Sequence, residues 1–159
     1  MVTILRDFIK KNIDLINSNN FVELYDKARA QIPFQIGNLS YNLMQAGIQP
    51  LKYVDRVVRN MFSDCTLIDK ITIPPNCIGI EKHAFQDCFG LKEVTLPATL
   101  QWIDNDAFTN CYDIEKINFE GTIEQWQNVG ISVEAFLDGY ATTVNCIDGV
   151  TDLPTNSVY

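Results

Sequence analysis

The chain is poor in the groups from which active sites are built. It holds one histidine, His83, and it has no CxxC pair, no GxGxxG or P-loop motif and no nucleophile elbow. A lone histidine cannot supply the paired imidazoles of a metal site, and without a glycine-rich phosphate cradle no nucleotide cofactor is expected. Asp104 and Asp106 are alternate acids in a turn, a pattern of solvated charge rather than of a glycosidase pair. The expectation is a protein that is not an enzyme and uses no cofactor and no metal. Apolar runs of the roughly 20 residues needed to span a bilayer are also missing, so no membrane association is expected. Arg6, Asp7, Lys10 and Lys11 interrupt the first apolar stretch, unlike a secretory leader, and a cytoplasmic location follows as the expectation.

Basic residues are scarce and unevenly placed. Residues 1–61 carry eight Lys/Arg against five Asp/Glu, whereas the remainder carries four against fifteen, and no Lys or Arg follows Lys116. The net charge of -8 therefore resides in the C-terminal two thirds. Such a surface repels nucleic acid and attracts a basic protein partner.

What the chain does have is a period. Phe62, Phe85 and Phe108 recur every 23 residues, each followed at the same offset by Cys65, Cys88 and Cys111. In phase with them run Ile68/Leu91/Ile114, Ile71/Val94/Ile117, Ile73/Leu96/Phe119, Ile80/Ile103 and Ala84/Ala107. A repeat of this length is a solenoid, in which each turn buries its apolar residues only by stacking on its neighbours. The cysteines share the apolar phase, and Cys77 stands where Leu100 stands one turn later, so they read as small core hydrophobes with reduced thiols. Each repeat holds one alternating strand: Ile71-Thr72-Ile73, Val94-Thr95-Leu96, Ile117-Asn118-Phe119. Stacked in register these predict a narrow parallel sheet. Lys70/Glu93/Lys116 and Asp69/Lys92/Glu115 alternate in sign from turn to turn, as neighbours on a stack should. After Phe119 the spacing stretches: Ala135-Phe136 follows Ala107-Phe108 by 28 residues. A last strand is predicted over Thr142–Cys146 with a turn at Asp148-Gly149, and a loose polar tail follows over 150–159.

The first third reads as helices. Ile4, Leu5, Phe8, Ile9, Ile13 and Ile16 fall on one face; a second stretch carries Phe21, Leu24, Tyr25, Ala28 and Ile32 and stops at Pro33. A third carries Leu39, Leu43 and Met44 and ends at Gly47, and a fourth starts at Pro50 and bears Leu51, Val54, Val57, Val58 and Met61. The expected organisation is α+β: a helical bundle over 1–61 that caps the open edge of a repeat array over 62–149.

The segments IEKHAFQDCFGLKEVTLP (80–97) and IDNDAFTNCYDIEKINF (103–119) resemble the BspA-type leucine-rich repeat, whose pattern is roughly I-G-x-x-A-F-x-x-C-x-x-L-x-x-V-x-L-P. The family's glycine after Ile is here Glu81 and Asp104, a departure that bears on the tightness of the turn. The helical start resembles the leading segment of small leucine-rich-repeat proteins of bacteriophage genomes. The resemblance implies binding without chemistry. Phe89 and Tyr112 follow the ladder cysteines where the family places small polar residues, and Trp102 stands where Gly79 stands one turn earlier. Large exposed aromatics are typical interface anchors. With Asp64/Asp87 and Glu81/Asp104, two rows of like charge, they form the expected partner-binding surface. The function expected is protein binding by occlusion of a basic surface, with a phage-encoded inhibitor of a host defence complex such as a CRISPR effector as its narrower form. An adhesin-like or structural virion module is the alternative.

Overall fold

The structure, a computed structural model, describes residues 2–132, 134–136 and 139–154. Four helices lead: α1 (Val2–Lys11), α2 (Ile13–Asn17), α3 (Phe21–Gln31) and α4 (Ile36–Gln45). The helix expected across residues 4–16 is broken at Asn12, whose side chain is buried and donates to the Phe8 carbonyl at 2.8 Å. Such local side-chain bonding offers the backbone an alternative to continued helix. Ile13, just past the break, and Ile4, at the start of α1, are exposed, while Leu5, Phe8 and Ile16 are buried. α4 ends as expected ahead of Gly47, which takes φ +84°, a left-handed value natural to glycine.

The fourth helix does not form. Pro50 opens a 3-10 turn, Pro50–Tyr53, and the chain then enters β1 (Arg56–Val57). Val57 precedes Ile80 by one 23-residue period and Met61 precedes Ala84 by the same interval, so these residues already belong to the repeat. Their apolar spacing satisfies both a helix and the repeat phase, and stacking on the next turn decides the outcome. The repeat ladder thus starts at Arg56.

The solenoid carries two ladders, where a single sheet was expected from the sequence. One joins β2 (Lys70–Thr72), β4 (Glu93–Leu96), β6 (Lys116–Phe119) and β8 (Thr143–Cys146) in parallel. The other joins the two-residue strands β1, β3 (Gly79–Ile80), β5 (Trp102–Ile103) and β7 (Gly130–Ile131), which are too short for an alternation signal. The predicted register holds: Ile71, Val94 and Ile117 are partners across the first ladder and all are buried. On its outer face Glu93 bridges Lys70 at 3.6 Å and Lys116 at 3.8 Å, which is the sign alternation expected of stacked neighbours.

Between the ladders lies the core. Phe62, Phe85 and Phe108 stack with centroids 5.1 and 4.9 Å apart, and Phe136 continues the pile 4.5 Å from Phe108 despite the lengthened repeat. The extra residues accommodate α5 (Ile123–Gln127), started by Thr122 and Gln125 in a reciprocal capping box, and Trp126 of this helix is buried against Phe119. The tail expected to be loose is ordered at its start. β9 (Gly149–Asp152) returns antiparallel on β8, and Leu153 is buried behind it; residues 155–159 lie outside the described residues.

The helical segment docks on the first turn by backbone approach. A side chain on Gly37 of α4 would place its Cβ 2.1 Å from the Ser63 carbonyl oxygen, so only glycine fits there. Beside it Ser40 donates to the Met61 carbonyl, which leaves Tyr25 to donate its hydroxyl to Ser40 at 2.6 Å. Tyr25 is fully buried, and that burial pushes its hydroxyl well above the ordinary range.

Candidate functional site

The stretch joining the two ladders in each turn is built from left-handed backbone. Asn60, His83 and Asp106 share one period position with φ between 58° and 63°, and Asp64, Asp87 and Asn110 share another with φ of 61°. Asn and Asp tolerate this region better than other side chains bearing a Cβ. The acidic row read from the sequence is therefore partly turn chemistry: the left-handed backbone favours Asn and Asp, which fill five of these six positions, His83 being the sixth. The charge is a separate matter, because Asn60 and Asn110 satisfy the same geometry without one.

Asp64 and Asp87 stand one above the other. Partial burial first, and the neighbouring Asp87 second, raise the Asp64 carboxyl above its ordinary value. Asn110 continues the row and donates to the Asp87 carboxylate at 2.7 Å, while the Tyr112 hydroxyl donates to the Asn110 side-chain oxygen at 2.8 Å. Tyr112 in turn stacks on Phe89 with ring centroids 6.1 Å apart and planes 9° from parallel. Phe89 and Tyr112 are 47% and 48% exposed, so nearly half of each ring faces solvent. Asp87, Asn110 and Tyr112 are thus joined by hydrogen bonds and Tyr112 to Phe89 by ring stacking, with Asp64 beside Asp87, so the four expected residues form one patch. Leu67, 65% exposed in the preceding turn, was not singled out by the sequence and adds apolar surface.

The other expected residues do not join this patch. Glu81 and Asp104 follow β3 and β5 directly, at the far end of the connecting stretch, with inward-facing Ala84 and Phe85 between Glu81 and Asp87. Their amides donate to Val57 and Ile80 carbonyls at 2.9 and 3.0 Å, and neither takes a left-handed φ, so the turn forms without the family's glycine. Trp102 is half-buried rather than exposed. Its indole lies over Gly79, where an added Cβ would sit 2.1 Å from the ring, so the glycine and the tryptophan are a packed pair between adjacent turns. His83 is half-buried in the left-handed ladder with Nε2 3.9 Å from the Asp106 carboxylate. Burial first, and Lys82 second, hold its proton affinity below the ordinary imidazole range.

Among the described residues no group of three or more His, Cys, Asp or Glu could hold a metal ion, and no helix is long and apolar enough to cross a membrane. The described cysteines form no disulfide, and Cys65, Cys77, Cys88 and Cys111 are buried. Cys88 and Cys111 donate to the carbonyls of Phe62 and Phe85 at 3.0 and 2.9 Å, so each thiol closes onto the turn before its own.

A stacked array with a phenylalanine–cysteine core and an exposed aromatic and acidic corner defines a solenoid repeat protein. Residues 55–157, more than half of the chain, match the family described as BspA type Leucine rich repeat region, in six copies. The chain belongs to that family. Among solved structures it is similar to a leucine rich cell surface protein from Faecalibacterium prausnitzii, at 26% identity and a TM-score of 0.47, over 49% of this chain and 21% of that one. The chain thus matches about one fifth of that protein's length. No curated protein matches it.

Proposed function

We propose that the chain is a non-catalytic protein-binding module whose contact surface is the corner formed by Asp64, Asp87, Phe89 and Tyr112. The observation that carries this reading is the stacked, half-exposed Phe89–Tyr112 pair hydrogen-bonded through Asn110 to the carboxylate row. An aromatic anchor rimmed by charge is the usual composition of an interface centre, and it is rigid here because each ring rests on its neighbour. The repulsion between Asp64 and Asp87 supports the same reading, since an amide would serve the backbone equally well and the charge pair is relieved by a cation brought from outside. The partner this surface fits is basic, with arginine the best match because its guanidinium pairs with carboxylate and stacks on aromatic faces. The narrower role of inhibitor of a host defence complex draws on no feature of this corner, and the proposal is the broader one.

Paired capture tests it. The wild-type chain and the double variant Phe89→Ser/Tyr112→Ser are immobilised side by side and offered the same lysate at low and high salt. A protein retained by the first and lost by the second, with retention weakening as the Debye length falls from about 10 Å at 0.1 M to about 3 Å at 1 M salt, is the expected result. Identical retention by both, insensitive to salt, contradicts the proposal.

A further inference from the structure

A second surface, separate from this corner, lies at the first edge of the longer ladder. β2 is a terminal strand of its sheet and pairs only with β4. Ile73 donates to the Thr95 carbonyl at 2.9 Å, and the Asp69 carbonyl accepts from Lys92 and Glu93. In a parallel ladder alternate residues serve opposite sides, so Ile71 takes the β4 side with Asp69 and Ile73, while Lys70 and Thr72 turn their N–H and C=O groups to the open edge. That edge faces a cleft of about 450 Å³ whose far wall is Met44, Pro50, Leu51 and Lys52. Lys52 has no ion pair among the described residues.

We infer that this cleft accepts an extended segment of a partner protein as an added parallel strand, with an acidic residue opposite Lys70, a β-branched apolar residue opposite Ile71 and a threonine opposite Thr72. The rows of the sheet itself specify this chemistry. The outer row reads Lys70, Glu93, Lys116, alternating in sign through contacts of 3.6 and 3.8 Å, so the next position outward calls for a carboxylate, and Lys52 on the opposite wall adds a second cation for it. The inner row reads Ile71, Val94, Ile117, and the apolar wall of Met44, Pro50 and Leu51 receives its continuation. Thr72 and Thr95 set the third row. Pro74 has no N–H to offer, so the slot stops after Thr72. Main-chain bonds to an open edge supply affinity in this mode, and alternate side chains supply specificity.

The matching segment already occurs in the chain as β4, which gives the probe. A capped peptide Lys-Glu-Val-Thr-Leu-Pro, the sequence of residues 92–97, is titrated into the isotope-labelled full chain while backbone amide shifts and exchange rates are followed. The expected result is one-to-one binding in which the Lys70 and Thr72 amides shift and become protected. A peptide with lysine in place of glutamate binds about tenfold more weakly, as does the wild-type peptide to Thr72→Pro, which removes the outward N–H without touching the β4 ladder. Thr72→Val, which keeps that N–H, restores binding. No binding, equal binding of both peptides, or a concentration-dependent dimer of the chain that occupies this edge overturns the inference.

Discussion

The rings of Phe85 and Phe108 lie 4.9 Å apart and 1° from parallel, one 23-residue period from each other, and both are fully or almost fully buried. Each ring is a wall of the other's cavity, so removing one leaves a void that the flanking turns cannot close. Phe85→Ala is expected to cost about 3–5 kcal/mol, measured by chemical denaturation. A loss under about 1 kcal/mol, below the usual range for such truncations, would mean that the stack contributes little.

The carboxylate row gives a pH-dependent outcome. The Asp64 carboxyl is raised above its unfolded value of 3.8, so the folded state binds this proton more tightly than the unfolded chain does. The associated stability is present below pH 3.8 and is lost as pH rises through the higher folded-state value. Asp64→Asn, with a side chain that Asn110 shows to fit the same left-handed turn, is expected to stabilise the fold modestly at pH 7, by up to about 0.5 kcal/mol. Below pH 3.8 the gain should vanish. Denaturation of both proteins across pH 3 to 7 checks the sign; a variant less stable than wild type at neutral pH would contradict it.

Burial separates the cysteines. Cys65, Cys77, Cys88 and Cys111 are buried, Cys146 is only half-buried, and burial pushes the Cys77 thiol up to about 11. Thiolate is the reactive form, so a thiol reagent is expected to label Cys146 first and the other four only on unfolding. Mass spectrometry of the native protein after timed labelling reads this directly, and early labelling of Cys65, Cys88 and Cys111 would exclude the interior ladder.

His83 sits at φ 62° between Asn60 and Asp106 in the same left-handed row. A β-branched residue there is strained, so His83→Val is expected to cost about 1–2 kcal/mol. His83→Asn should leave stability close to wild type, as thermal denaturation of the pair would show. Equal effects of the two substitutions would place the role of His83 in its imidazole instead of its backbone.

The fold was legible where one residue type repeated in phase. Phe85, Cys88 and Val94 each sit at the register their spacing predicts, and the Lys70–Glu93–Lys116 bridges follow from three letters of sequence. Val57 shows why other parts were not. Its neighbours suit a helix and the repeat equally, and only packing against Ile80 distinguishes the two. The second ladder was not legible in the sequence because two-residue strands leave no alternation. At the candidate site the exposure and stacking of Phe89 and Tyr112 were readable from position, since both follow a core cysteine. Trp102 followed the same logic and is packed, because its neighbour one turn back, Gly79, leaves a groove that the indole fills. The acidic row was visible as charge, but its left-handed backbone was not, and that backbone accounts for part of the composition.

The proposed contact surface is tested most directly by hydrogen exchange of the chain with and without its captured partner. Protection centred on residues 64–67, 86–90 and 109–113, the segments carrying Asp64, Asp87, Phe89 and Tyr112, is the predicted result. Protection confined to the helices of the first 45 residues or to the outer face of β4 and β6, with those segments unchanged, would contradict it.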